Sequence, residues 1–448
     1  MRVKDKKIII LGAGLTGLSI SYFLEKKGIK STIIEKESYI GGLCSSIKMG
    51  SFTFERVQHF IHLRYEKTRI FIENELKISL NRYDRKAFIF FKKKLIPYPF
   101  QANLFALPLL ERLNCVITFI STRFFKNDNK KNTHYNSYYE WCQKNLGKGI
   151  SNYFMVPYNE KVWGISSKNL TTDWMGRLVP YPDTREILVG AYKNQKGKFG
   201  YNPVFYCPKN ASIEVLPRNL ALNNIKNGQA VININIETKT IRTNDGNIYS
   251  YDLLINTIPL PVCVSLIQHC PKPIQKSASL LNHTGIYVLN IGFKTNEFVK
   301  GLNWCYFPEK EFDFYRLGIA SNTSNKLSPN GFSTCYIEFN EKVFRKNTED
   351  EIYEKTIRQL VQLGILNKKE DIIFKKFVYI QYAYVIFDKK YQLATATIRS
   401  YLQKNGIYSI GRFGGWEYSY IEKNITDARE LSETISNKIL SKPTSNKH

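Results

Sequence analysis

Three glycines near the start of the chain stand at the spacing that nucleotide phosphates require. Gly12, Gly14 and Gly17 follow the apolar run 8–11, and Glu35 stands eighteen residues beyond Gly17. The first glycine permits a sharp turn, the second lets a pyrophosphate approach the backbone, and the third lets helix and strand pack closely. The helix N-terminus then offers unpaired N–H groups to phosphate oxygens, and the Glu35 carboxylate can accept hydrogen bonds from a ribose. The spacing predicts a strand, a helix and a second strand that together bind a dinucleotide.

A glycine pair, Gly41 and Gly42, follows the acid and bears on which dinucleotide is bound. An acid followed by Gly-Gly resembles the FAD-binding flavoprotein oxidoreductases more than the NAD dehydrogenases, so the resemblance favours FAD. The alternative interpretation is a flexible loop, because glycine pairs are common in turns.

Composition limits the class of protein without choosing its ligand. The 448 residues are 43% hydrophobic, which is enough for a large core and predicts two or three domains. The formal net charge of +27 suits an anionic ligand, an acidic membrane surface or a nucleic acid. Because the basic residues are spread along a chain rich in Asn, Lys and Ile, as AT-biased coding produces, we expect no specific nucleic-acid partner.

Cysteine usage and hydropathy exclude two further classes. The eight cysteines include no CxxC pair, which indicates neither a disulfide framework nor a zinc site, and no metal site is predicted. No apolar stretch approaches the eighteen residues that favour a transmembrane helix. The first strand begins so near the N-terminus that a signal peptide has no room, and we therefore expect a cytoplasmic protein.

Periodicity predicts the elements that must position these residues. Helices are expected at 64–76, 103–125, 135–146, 350–363 and 426–440. A hairpin is expected at 87–96, a meander of short strands at 231–256, and further strands at 284–294, 313–321, 333–340 and 407–411.

Five sequence blocks resemble, in order and spacing, the eukaryotic-type UDP-galactopyranose mutases, a family within the amine oxidase and protoporphyrinogen oxidase-like flavoproteins. The blocks are IPYPFQANL (96–104), FMVPYNEKVWG (154–164), CYFPE (305–309), FYRLGIASN (314–322) and GRFGGWEY (411–418).

The resemblance implies an α/β fold with a discontinuous Rossmann-like FAD-binding domain, a helical substrate region and a mixed or antiparallel-sheet domain. The implied boundaries are FAD-binding segments at 1–90, 186–270 and 401–440, a helical substrate region at 91–185, an α+β substrate domain at 271–400 and a disordered tail at 441–448.

The resemblance also implies an intramolecular isomerase. Family enzymes interconvert UDP-galactopyranose and UDP-galactofuranose through an adduct between the sugar and N5 of reduced FAD, and the product feeds cell-surface glycans. FAD is the implied cofactor, NADPH or NADH a possible reductant, and a UDP-sugar the implied substrate. The oligomeric state is not indicated.

Individual residues take implied roles by their place in these blocks. The implied catalytic residues are His59, Arg316 and Arg412. The implied FAD ligands are Gly12, Gly14, Gly17, Glu35, Gly41, Gly42, His59, Gly411 and Arg412. The implied substrate ligands are Phe100, Gln101, Asn159, Trp163, Asn202, Trp304, Tyr306, Arg316, Tyr384 and Tyr418.

The chain departs from the family pattern at four places, two of which are Ile421-Glu422-Lys423 in place of a Gly-Asn-Gln segment and Thr323 in place of a tyrosine. Val57-Gln58 stand where family members have Gly-Gly before the histidine, and Leu178 aligns with a second diphosphate-binding arginine. Two alternatives therefore stay open. One is an FAD-dependent oxidoreductase of the amine oxidase or protoporphyrinogen oxidase type, and the other is a catalytically degenerate flavoprotein that binds polyanions or a partner.

Overall fold

The computed structural model describes residues 6–124, 135–176, 183–195, 203–324 and 326–440. Its strands, in chain order, are β1 (Ile8–Leu11), β2 (Ser31–Ile34), β3 (Ser46–Met49), β4 (Phe52–Glu55), β5 (Leu80–Asp84), β6 (Ala87–Phe91), β7 (Lys94–Pro97), β8 (Val204–Pro208), β9 (Ile225–Lys226), β10 (Val231–Asn235), β11 (Thr240–Thr243), β12 (Ile248–Ser250), β13 (Leu253–Asn256), β14 (His283–Lys294), β15 (Trp304–Tyr306), β16 (Phe314–Ile319), β17 (Phe332–Asn340), β18 (Ile372–Val385) and β19 (Ile407–Ser409).

The α-helices, in the same order, are α1 (Leu15–Glu25), α2 (Glu66–Ile70), α3 (Leu109–Phe124), α4 (Tyr138–Ile150), α5 (Val156–Trp163), α6 (Thr184–Tyr192), α7 (Val215–Leu220), α8 (Leu260–Leu266), α9 (Lys272–Ser279), α10 (Glu349–Gln362), α11 (Tyr391–Lys404), α12 (Gly411–Gly414) and α13 (Ile421–Leu440). No helix of the described residues has the length and apolarity to cross a bilayer.

A parallel sheet carries the nucleotide-binding unit. Its strand order is β19-β13-β1-β2-β9, and each neighbouring pair is parallel. Helices α1 and α13 pack against each other, and the apolar residues of α1 and β1 share a buried core with those of α13. Strands from three distant parts of the chain thus build one sheet, as the predicted discontinuous domain requires.

The second large sheet has seven strands. Its order is β18-β14-β17-β16-β15-β6-β7, and only the pairing of β15 with β6 is parallel. The predicted hairpin at 87–96 is confirmed as β6 and β7. Strand β18 was not predicted, although its fourteen residues form the longest strand described.

Helices α3 to α6 form the helical region, in which α3 packs on α4 and α5 contacts β16 and β17. The predicted closing helix begins five residues earlier than expected, at Ile421. The fold class is confirmed: a Rossmann-like α/β unit, a helical region and a mixed sheet. The domain boundaries stay a prediction, and the tail 441–448 lies outside the described residues.

Candidate active site

The glycine loop after β1 has the geometry that bound phosphate needs. Gly12 has φ +97°, which favours glycine, and a Cβ on Gly17 would collide with the carbonyl oxygen of Gly12. By contrast, a Cβ on Gly14 would meet nothing within 4 Å. Gly14 is the N-cap of α1, and no side chain caps that helix. Open space therefore lies beside unpaired N–H groups, as an anion site requires.

Glu35 and the glycine pair close this loop from the other side. The Glu35 carboxylate accepts hydrogen bonds from the N–H groups of Ala13 (2.6 Å) and Glu37 (2.9 Å). Burial raises the pKa of Glu35, against the lowering effect of those two donors. Gly41 has φ +96° and donates its N–H to the Ala13 carbonyl oxygen at 2.8 Å. Gly41 is thus hydrogen-bonded to the glycine loop, and the pair is not merely a flexible connection.

Arg412 enters the site from the turn at the start of α12. Its guanidinium donates to the carbonyl oxygens of Ser419 (2.9 Å) and Ala383 (2.7 Å), and it lies 5.5 Å and 5.4 Å from the ring centres of Tyr384 and Tyr418. These contacts point the side chain into the site and do not cap a helix. The preceding Gly411 has φ +79°, and a Cβ there would strike Thr16 in α1.

Two adjoining cavities meet at this arginine. The first, of about 580 Å³, follows the glycine loop and Glu35. The second, of about 350 Å³, lies between the helical region and the mixed sheet; we call it the cleft. The residues that line both cavities are Leu43, His59, Ile380, Arg412, Ser419, Tyr420 and Ile421.

His59 stands at the junction in a neutral form. Its Nδ1–H donates to the Val57 carbonyl oxygen at 2.9 Å. Burial, together with the charges of Arg412 and Arg316, lowers the pKa of His59 to about 4. Neither Val57 nor Gln58 is among the residues with positive φ. In this conformation the loop therefore needs no glycine at either position, and the departure from Gly-Gly causes no strain.

A buried carboxyl group lies under the same loop. Glu55 accepts hydrogen bonds from the N–H of Ile213 (2.7 Å) and, more weakly, from the N–H of His59 (3.4 Å). Burial raises the pKa of Glu55 to about 7. Sequence reasoning missed Glu55, whose only signal was an acid at the end of a strand just before the histidine.

Arg316 lines the cleft and is held by a buried acid on the neighbouring strand. The two residues are cross-strand partners in β16 and β17, and Arg316 Nη2 contacts Glu338 Oε1. The Glu338 side chain is 0% exposed, whereas that of Arg316 is 23% exposed. Burial opposes the charged form of Arg316, but Glu338 together with Tyr384, Tyr336 and Tyr315 outweighs it, so the pKa of Arg316 is raised well above its usual value. Arg316 stays a cation and presents part of its guanidinium to the cleft.

Tyrosine hydroxyls surround this cation. Tyr306 packs against Tyr98 and Tyr158, with ring centres 5.2 Å and 5.0 Å away. Burial raises the pKa of Tyr306, although Arg316 and Arg85 both counteract it, and burial raises the pKa of Tyr384 to about 12. These phenols therefore keep their protons at neutral pH and can donate hydrogen bonds to an anion.

Lys161 stabilises the turn between β15 and β16, the strands that carry Tyr306 and Arg316. Its ammonium donates to four carbonyl oxygens of the turn between β15 and β16, those of Phe307 (2.8 Å), Glu309 (2.9 Å), Phe312 (2.7 Å) and Phe314 (3.0 Å). Burial lowers the pKa of Lys161 to about 7. The lysine belongs to α5, so it ties that helix to the turn and to the first residue of β16.

The structure brings most of the expected site residues together. The expected substrate ligands that line the cleft are Gln101, Asn159, Trp163, Trp304, Tyr306, Arg316, Tyr384 and Tyr418. Phe100 does not line the cleft, because it is fully buried and stacks on Phe154, which does. Asn202 and Leu178 lie outside the described residues.

Several residues of the cleft wall were missed. Tyr98 and Tyr158 stand inside quoted sequence blocks and could have been found there, and His62 stands three residues after His59. Arg85 had no signal in the sequence. Burial lowers the pKa of His62 to about 4. The roles of all these residues stay predictions.

Known proteins share this architecture. The NAD(P)-binding Rossmann-like domain family matches residues 10–73. A crystal structure of reduced UDP-galactopyranose mutase superimposes with a TM-score of 0.89 at 25% identity, covering 98% of this chain and 97% of that one. The chain has the fold of UDP-galactopyranose mutase. The predicted resemblance is thereby confirmed.

Two other known proteins are less similar to this chain. A provisionally assigned protoporphyrinogen oxidase from Exiguobacterium sp. 255-15 superimposes with a TM-score of 0.74 at 14% identity, over 97% of this chain and 99% of that one, which is a likeness of fold alone. The 1-hydroxycarotenoid 3,4-desaturase of Flavobacterium sp. (strain P99-3) is 40% identical over 50 residues, or 11% of this chain. That match spans only 10% of the desaturase.

Proposed function

We propose that this chain is a flavin-dependent mutase that interconverts the pyranose and furanose forms of a UDP-sugar, with UDP-galactose as the first candidate. One observation carries the proposal. The cavity along the glycine loop opens at His59 and Arg412 into a cleft whose described lining residues include three arginines and no Asp or Glu. Such a wall suits a diphosphate anion joined to a sugar.

The residues of the first cavity fit FAD. The space beside Gly14 and the uncapped N-terminus of α1 suit a pyrophosphate, and Glu35 lies beyond them for a ribose. When bound in its reduced form, FAD supplies a nucleophilic nitrogen for attack on the anomeric carbon, with no net redox change.

The chain's own task is then to hold the diphosphate that leaves and returns. Arg316 donates to its oxygens, and the hydroxyls of Tyr306, Tyr384 and Tyr418 supply further donors. Arg85 lines the same cleft and supplies a second guanidinium, which would replace the arginine that the family has at the position of Leu178. His59 is neutral and therefore adds no charge at the junction.

The residues that line the cleft also make the oxidoreductase alternative less favoured. An amine substrate is a cation and would meet the guanidinium groups of Arg85, Arg316 and Arg412, with no carboxylate among the described lining residues to balance its charge. An uncharged substrate would make no use of the three guanidinium groups.

One experiment separates the candidate functions. The purified protein is assayed for bound FAD, reduced with dithionite and incubated anaerobically with UDP-galactopyranose or UDP-galactofuranose. We expect interconversion only in the reduced form. Bound FAD with oxygen consumption and no interconversion would support the oxidoreductase, and a protein that retains no FAD would support the degenerate alternative.

The reductant belongs to the same proposal. We expect NADPH or NADH to reduce the flavin from the cleft, since the chain has one GxGxxG loop. UDP should then inhibit reduction competitively, and independent binding of the two ligands would contradict this. On this proposal the enzyme acts in the cytoplasm, and its product serves cell-surface glycan synthesis.

A further inference from the structure

Helix α3 presents a line of apolar side chains to solvent. Leu110, Leu113, Ile117 and Phe124 are 78%, 47%, 64% and 82% exposed. Together with half-buried Ile120 they follow one another at alternating steps of three and four residues. We call these five residues the α3 seam. Its spacing is that of the a and d positions of a coiled coil, which face a partner helix.

The rest of α3 is already packed, so the helix cannot turn its seam inward. Cys115 and Phe119, on the opposite face, are fully buried. The Gly149 N–H donates to Thr118 Oγ1 at 2.9 Å, and a Cβ on Gly147 or Gly149 would overlap the α3 backbone. Helix α4 thus approaches α3 closely and holds it with the seam outward.

The composition of the α3 seam favours a partner helix over an anionic membrane surface. All five side chains are aliphatic or aromatic, and none carries a charge. A helix that lies on an anionic membrane needs a polar face rich in Lys and Arg, whereas α3 carries only Arg112 and Arg123 as basic residues. The chain's net charge of +27 would attract lipid headgroups, but the seam itself offers them no charge.

The exposed area is sufficient for pairing with a copy of itself. With on the order of 180 Å² for each fully exposed side chain, the seam offers about 500 Å² per subunit. A symmetric pair would bury about 1,000 Å² from the seams alone, the size at which specific interfaces begin. A two-fold axis across the seam makes it self-complementary, as an isologous interface requires.

We propose that the α3 seam is the interface through which two copies of this chain form a two-fold symmetric dimer. The test uses the full, FAD-loaded chain in sedimentation velocity and in light scattering after gel filtration. The wild type should have twice the mass of the chain at micromolar concentration. Because the interface is apolar and each subunit is strongly basic, 1 M NaCl should strengthen the dimer.

A matched pair of variants locates the interface. Ile117→Glu should weaken the dimer at least ~100-fold in Kd. Leu393→Glu, at a 77% exposed position on α11, should leave it unchanged. Both substitutions are at the surface, and an unchanged flavin spectrum checks that each variant is folded.

Three outcomes would overturn the proposal. The wild type could be monomeric at 100 µM in both salt concentrations, or the Ile117→Glu variant could remain a dimer. The third outcome is a monomer that binds vesicles of phosphatidylcholine and phosphatidylserine through Ile117 and is released by salt, which would assign the seam to a membrane surface.

Discussion

Arg316 and Glu338 allow a direct test of the diphosphate site. Replacing Arg316 by Met leaves the Glu338 carboxylate fully buried without its partner. Breaking a buried ion pair by removing one member costs about 3–5 kcal/mol of unfolding free energy. The single variant would therefore confuse loss of binding with loss of stability.

The double variant Arg316→Met/Glu338→Met removes both charges together. Replacing a buried pair by apolar residues of similar volume is often neutral for stability or even stabilising. Its effect on UDP is different, because the nucleotide loses its charge-assisted hydrogen bonds from the guanidinium. Such bonds contribute about 1.5–3 kcal/mol, which corresponds to a rise in Kd of about 10- to 150-fold.

The assay is calorimetric titration of the oxidised flavoprotein with UDP, with urea unfolding and the flavin spectrum measured in parallel. Arg82→Met is the control, because Arg82 is a half-exposed arginine on β5 that does not line the cleft. We expect wild-type affinity for the control and the calculated loss for the double variant. Wild-type UDP affinity in a folded double variant would refute Arg316 as a diphosphate ligand. If the wild-type protein does not bind UDP, the proposed substrate class is refuted.

Three further predictions concern the supporting residues. Glu55 has a folded pKa of about 7 against an ordinary value of 4.5, so its neutral form stabilises the fold at low pH, and this contribution is lost as pH rises through 7. The unfolding free energy of Glu55→Gln relative to wild type should thus rise by about 3 kcal/mol between pH 4 and pH 8 in urea titrations, and a pH-independent difference would contradict this. Lys161→Met removes the donor of four hydrogen bonds to carbonyl oxygens and should lower the unfolding free energy by about 3 kcal/mol. The variant should also bind UDP more weakly while keeping its bound flavin. Unchanged stability would show that Lys161 does not hold the turn between β15 and β16. Gly14→Ala has room for its methyl group, so this variant should fold normally but lose FAD. Gly17→Ala should lose FAD and also about 1–3 kcal/mol of unfolding free energy, because its methyl group would collide with the Gly12 carbonyl oxygen. Flavin-to-protein ratios and urea unfolding measure both effects, and full flavin content in Gly14→Ala would refute the phosphate site.

The sequence by itself determined what depends on neighbours along the chain. The turn at Gly12, the close packing at Gly17 and the hairpin of β6 and β7 follow from backbone freedom and from local apolar periodicity. Strand β18 escaped prediction because apolar and aromatic residues such as Ile373 and Tyr379 also occupy its exposed positions, so the sequence itself alternates only weakly. Its place is decided by pairing with β14, a contact between distant parts of the chain.

Only the tertiary structure decided the site. His59, Arg316 and Arg412 come from a loop, a strand and a turn that are far apart in sequence, and their meeting depends on how two sheets pack. Burial then set the charge states: it keeps His59 neutral, while Glu338 keeps Arg316 charged. A side chain's pKa depends on the solvent and charges that surround it, and those are supplied by residues that sequence order does not bring together.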